Sequence, residues 1–247
     1  RIITNKPNTT AVDAGFDLTA ETIDGGGNGY MAEAFLNVPL SDRMALRLVG
    51  YWDDDGGYID AIEDTISYPL SGITRDNQAF VQDDFNETEK MGFRAALGID
   101  LSDSWTATAS VMQQKLEGSG VWDHNPLEFD DYQVSRFYDD SIDDEWTQFA
   151  VEVKGDLGFA DLTYAGSYLD REFETYNDYS HYSIDGFVEG FYTCYVSYFG
   201  PCVDPSIQYS NFTDMQYMTH ELRLSSNADG RLNWVLGGFY SKVETDW

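Results

Sequence analysis

Carboxylates are the most abundant reactive groups in this chain: 44 Asp and Glu stand against 14 Lys and Arg, a formal charge of −30 over 247 residues. Runs such as Asp53-Asp54-Asp55 with Asp60, and Asp139-Asp140 with Asp143-Asp144, offer the hard oxygen ligands that Ca²⁺ takes. Their spacing does not follow the EF-hand loop, and the plainer reading is a solvated acidic surface. Paired carboxylates also suit glycoside hydrolysis, but the sequence singles out no one pair. His124, His181 and His220 have no histidine partner three or four residues away, and a zinc-ligand set, a metalloprotease helix and a nucleophile elbow are all absent. Asp24-Gly25-Gly26-Gly27-Asn28-Gly29 lacks the spacing of a phosphate-binding fingerprint and reads as a flexible hairpin. These residues predict no enzyme, no metal centre and no cofactor.

Two further chemistries concentrate in the interval 174–214. It carries Tyr176, Tyr179, His181, Tyr182, Phe187, Phe191, Tyr192, Tyr195, Tyr198 and Phe199. Of these, Tyr176, Tyr179, His181, Tyr182, Phe191 and Tyr192 are the candidate ligand contacts. Phenol and imidazole faces stack on flat ligands, and the hydroxyls hydrogen-bond polar ones. The competing reading is that the rings pack on one another to order a long loop. Cys194 and Cys202 lie in the same loop with Gly200-Pro201 between them, which predicts a local disulfide formed in an oxidising compartment.

The charge is unevenly placed. The intervals 53–87, 117–145 and 174–214 hold 26 of the 44 acids and, of basic residues, only Arg75 and Arg136. A surface of this sign repels phosphate backbones, so nucleic acid is excluded as a partner.

What positions these intervals is a series of segments with period-two polarity. In 93–101, Phe93, Ala95, Leu97, Ile99 and Leu101 share one face, while Arg94, Ala96, Gly98 and Asp100 share the other. The same alternation recurs in 105–112, 146–154, 161–171 and 219–225. It predicts nine strands at about 12–22, 30–39, 43–53, 88–101, 104–116, 145–157, 160–173, 214–226 and 231–245. Mid-strand polar faces carry small or charged groups where a sandwich core needs Val, Ile and Leu. Connections alternate between tight ones (around Ser41-Asp42, Ser102-Asp103, Gly158 and Asn227–Gly230) and the three long acidic intervals. The fold class predicted is all-β: an antiparallel meander forming part of a transmembrane β-barrel, with short periplasmic turns and long extracellular loops. Rings near segment ends (Tyr51, Trp52, Trp105, Trp146, Phe173, Tyr176, Trp234, Tyr240) read as interfacial belts, or as ordinary cross-strand pairs.

Arg1-Ile2-Ile3-Thr4-Asn5-Lys6-Pro7 resembles the end of the plug domain of TonB-dependent outer-membrane receptors, where an "I-x-I-I-T-x-K-P" strand hands over to the first barrel strand. Glu221–Ser226 with Leu232–Tyr240, and the turn Asn37-Val38-Pro39-Leu40-Ser41-Asp42, are similar to strand–turn–strand pieces of the same family. The resemblance divides the chain into 1–10, the C-terminal end of a plug, and 11–247, the N-terminal portion of an incomplete barrel. A complete receptor of this kind has about 22 strands, so the chain reads as a section of a longer protein.

By that resemblance the parent actively takes up a scarce nutrient, a ferric siderophore first, with haem, cobalamin or an oligosaccharide as other cargoes. Its partners are outer-membrane lipid, the small-molecule ligand, and the TonB complex through plug residues outside this sequence. The localisation implied is the outer membrane of a Gram-negative bacterium. The rival class is a secreted, calcium-binding β-sandwich that binds or cleaves carbohydrate, and a plugless porin is a third reading. A sandwich requires a second apolar layer over the apolar faces; a barrel wall requires none.

Overall fold

The structure, a computed structural model, describes residues 4–184, 186–194, 202–226 and 232–247. Among the described residues thirteen strands occur in chain order: β1 (Asp13–Thr22), β2 (Asn28–Ser41), β3 (Met44–Asp55), β4 (Asp60–Ala61), β5 (Thr65–Ser67), β6 (Thr74–Asp76), β7 (Thr88–Ser102), β8 (Trp105–Ser119), β9 (Gln133–Val134), β10 (Ser141–Asp156), β11 (Ala160–Asp178), β12 (Gln208–Ser226) and β13 (Val235–Asp246). Nine of them form one antiparallel sheet in the order β1-β2-β3-β7-β8-β10-β11-β12-β13. This is an all-β meander in which each long strand pairs with its neighbours in sequence, and β1 and β13 are the sheet edges. Among the described residues no helix is long and apolar enough to cross a membrane.

The nine long strands lie where periodicity puts them, but several run further toward the long loops. β10 begins at Ser141 and not at 145, β11 continues to Asp178 and not to 173, and β12 begins at Gln208 and not at 214. Those extra residues are mostly polar, with Ile142, Tyr176, Tyr209 and Phe212 interspersed, and they carry no regular alternation to detect. Backbone pairing alone continues the ladder there, from Ser141↔Tyr176 to Asp178↔Gln208.

The registers assign every side chain to a face. One face carries Asn37, Arg47, Ala96, Ser110 and Ala150 along one cross-strand row. The other carries Leu36, Leu48, Ala95, Val111 and Phe149 along the next. The apolar side chains of this second face form a band across the sheet, for instance Tyr30, Ala32, Ala34, Leu36, Val38 and Leu40 on β2. From Tyr30 to Leu40 is about 33 Å along the strand at ~3.3 Å per residue. Toward the long loops the same face turns charged: Glu89, Lys115 and Glu117, Asp143 and Glu145, then Asp170, Glu172 and Glu174.

Nothing among the described residues packs over the apolar band. Leu36, Leu48, Phe93, Phe149 and Leu222 are all exposed. The two clusters of buried hydrophobic residues lie in the long loops: Ile59, Ala61, Phe85 and Val134 in one, Ile66, Tyr68 and Phe137 in the other. The second apolar layer that a β-sandwich requires is therefore missing from the described chain.

The ring assignment divides by face. Trp52, Trp105, Tyr176 and Tyr240 are on the apolar face, and Trp105 lies directly over Gly155 of β10. Tyr51, Trp146 and Phe173 lie instead on the polar face, because their registers place them with Arg47, Gln148 and Arg171. Tyr51 accordingly donates its hydroxyl to Gln114 (2.5 Å), and Arg171 lies over Phe173. Trp234 precedes β13, with its amide donating to Ser226 Oγ.

Candidate functional site

Two surfaces carry the polar chemistry: the polar face, crossed by the N-terminal segment, and the cluster of long loops at one end of the sheet. Residues 4–12 have no regular secondary structure and lie against the polar face. Asn37, fully buried, fastens them: its Oδ1 accepts from the Asn8 amide (2.9 Å), and its Nδ2 donates to the carbonyls of Asn8 and Ala11 (both 2.8 Å). Arg94 donates to the Asn5 carbonyl at 3.2 Å, and Lys6 is ion-paired with Glu152. Pro7 sits over Gly98 so closely that a Cβ there would come within 3.1 Å of the proline ring. The segment thus spans β2, β7 and β10, and the polar side of the sheet is the side the chain itself occupies.

At the other end, the described residues of the intervals 56–87, 120–140 and 179–207 fold together. β4 pairs in parallel with β9, joining the first long loop to the second. Asn86 accepts from the Tyr58 and Ile59 amides (2.7 and 2.8 Å), which organises the first buried cluster. Gly57 presses on Asp84 so tightly that a Cβ would fall 1.8 Å from its carbonyl oxygen, a position only glycine fills. The third loop joins through Tyr68, whose hydroxyl donates to the Ser180 carbonyl (3.2 Å) and is pushed up to about 12 by burial. Glu189, at the end of the one-turn helix Gly186–Glu189, accepts from the Leu70 and Ser71 amides at 2.8 and 2.6 Å.

The acidic residues expected to be solvated are in part the fasteners of this cluster. Asp140 is buried, ion-paired with Arg136 (2.6 Å), and accepts from the Asp178 amide; burial raises its carboxyl, and Arg136 opposes that. Asp178 accepts from the Phe137 and Ser180 amides. Burial disfavours the Glu189 anion, but the amides of Leu70 and Ser71 outweigh it and hold the carboxyl below its ordinary value. Asp53 pairs with Lys90, and Asp144 pairs with Arg171 through both oxygens. Among the described residues no group of three or more His, Cys, Asp or Glu is arranged to hold a metal ion. Sequence reasoning missed the contacts from Asp140 to the Asp178 amide, from Asp178 to the Phe137 amide and from Glu189 to the Leu70 and Ser71 amides because each joins two different loops.

The six aromatic candidates do not converge on one cavity. Tyr176 meets Phe212 edge-on at 5.8 Å on the apolar face, beyond the band. Tyr179 contacts Tyr182 and Tyr209, and both Tyr179 and Tyr182 are exposed. His181 turns inward to Ser135 (2.7 Å) and the Phe137 ring. Phe191 and Tyr192 form a separate exposed pair with centroids 5.0 Å apart. Cys194 and Cys202 are joined in a disulfide. Arg1-Ile2-Ile3, Tyr195, Tyr198, Phe199, Gly200-Pro201, the turn Asn227–Gly230 and the Phe187 side chain lie outside the described residues. His220 sits on the apolar face between Tyr164 and Tyr240 and hydrogen-bonds the Tyr164 hydroxyl at 2.8 Å. Comparison with known proteins finds no matching family model, no similar curated protein and no similar solved structure.

Proposed function

We propose that this chain is a section of the wall of a TonB-dependent outer-membrane transporter, with residues 1–10 as the end of its plug. The observation that carries the reading is the pairing of faces. A bare apolar band about 33 Å long along the strands, which is about 25 Å high at the ~40° tilt of barrel strands, backs a polar face on which the N-terminal segment is fastened through Asn37, Arg94 and Lys6. Lipid satisfies the band and water the other face, and strands of a closed barrel leave no backbone group unpaired in hydrocarbon. Short turns at one end and a consolidated acidic loop cluster at the other match the periplasmic and extracellular ends of such a wall.

In this reading the loops capture a small-molecule ligand from outside, and the TonB complex acts through plug residues outside this sequence. A ferric siderophore is the first cargo to test, followed by haem, cobalamin and oligosaccharides. The test is uptake in the source bacterium: deleting the gene abolishes accumulation of one such nutrient, and collapsing the proton-motive force does the same in wild-type cells. Accumulation of all four cargo classes that survives both treatments overturns the proposal. The soluble sandwich is disfavoured by the uncovered apolar band.

A further inference from the structure

Every described Lys and Arg side chain lies within ion-pairing distance of a carboxylate except two, Arg47 and Arg94. In a chain of charge −30 that exception needs a cause. The two are neighbours. Arg47 stands opposite Ala96 and Arg94 opposite Val49, so they are diagonal on adjacent strands of the polar face, near enough for their charges to repel. Both line one cleft of about 510 Å³, together with Phe35, Val49, Tyr51 and Met112.

Arg47 is only 8% exposed; its guanidinium lies 4.2 Å over the Phe35 ring, and its Nε has no hydrogen-bond partner. Arg94 spends one donor on the Asn5 carbonyl. Two adjacent guanidinium groups, one of them buried with a free donor, are costly unless an anion sits between them. The fork of a guanidinium matches a carboxylate, and Phe35, Val49 and Met112 form apolar walls beside it. Asp17 and Glu33 also line the cleft, opposite one another on β1 and β2 and outside ion-pairing distance of either arginine. Their repulsion restricts the occupant to a single negative charge.

We propose that Arg47 and Arg94 form a carboxylate-binding site on the polar face, which takes a singly charged carboxylate with an apolar body. The carboxylate has two sources: a free solute passing along this face, or an acidic side chain of another part of the same protein. The proposal rests on the face geometry and not on the transport reading, so the two fail separately.

Thermal unfolding of the full-length protein in detergent micelles tests it, with hexanoate as the probe, hexanamide as its neutral counterpart, and the variants Arg47→Gln, Arg94→Gln and Arg47→Lys. If a free solute is bound, hexanoate raises the wild-type Tm by about 3 °C or more at saturation and hexanamide does not. Both glutamine variants then lose the response, and Arg47→Lys keeps part of it. If a protein carboxylate fills the site, hexanoate changes nothing and each glutamine variant melts several degrees lower. Equal responses to hexanoate and hexanamide, or a hexanoate response retained in both glutamine variants, overturn the site. So does a wild type indifferent to hexanoate whose glutamine variants melt no lower, because relief of like-charge repulsion then accounts for the pair.

Discussion

Arginine placed at successive positions of β10 separates the two faces by free energy. Val151 is on the apolar face at mid-band, 38% exposed, between Ala109 on β8 and Gly166 on β11. Its cross-strand neighbours are small, with the Tyr164 ring lying over Gly166, so the cost of Val151→Arg comes mainly from the surrounding medium. In a bilayer midplane that cost is about 2–4 kcal/mol, or roughly 30- to 700-fold in the folding equilibrium. Ala150 faces the other way, into a polar cleft shared with Glu152, Ser110 and Ser167. Ala150→Arg therefore keeps its water and gains a carboxylate neighbour, for a change of about 1 kcal/mol or less. Thr147, at the upper edge of the band, faces the same side as Val151, and Thr147→Arg should cost about 0–1 kcal/mol because it reaches the interface. The assay is reversible guanidinium unfolding of the full-length protein in phospholipid vesicles, followed by tryptophan fluorescence. A cost at Ala150 equal to or above that at Val151 refutes the assignment of faces. A cost at Thr147 as large as that at Val151 refutes the lipid as its origin, since a protein core has no such depth dependence.

Two further outcomes follow from the fastenings. Asn37→Ala removes one acceptor and two donated bonds in a fully buried place, which costs about 2–4 kcal/mol. It should release residues 4–11 to protease while the amides of β2 and β3 stay protected; unchanged cleavage would show that Asn37 does not hold the segment. Glu189 carries a lowered folded value, so its contribution to joining the third loop to the first is present above the ordinary carboxylate range and is lost as pH falls through the folded value. Exchange protection of the Leu70 and Ser71 amides should drop on acidification below about pH 4, and Glu189→Gln should flatten that dependence. Asp140, raised by burial, contributes in the opposite direction, so the reading must be taken at Leu70 and Ser71. A pH-independent protection at those two amides would show that the carboxylate is not the latch.

The meander, its nine long strands and the two faces were all legible in the sequence. A β-strand writes its environment into every second residue, and β7 spells this out from Met91 to Ile99. The ends of β10, β11 and β12 were not legible, because the residues there are mostly polar and the alternation stops. Only the tertiary structure turned the acidic loops from a solvated fringe into a folded cluster. Asp140, Asp178 and Glu189 each accept from at least one amide 38 to 119 residues distant, and no local spacing encodes those partners. The same holds for Arg47 and Arg94. Each is an ordinary polar-face residue on its own strand, and only the pairing of β3 with β7 brings their charges together and leaves them without a counterion. Local polarity patterns thus sufficed to determine strands and faces, whereas long-range register alone decided which polar groups on those faces meet.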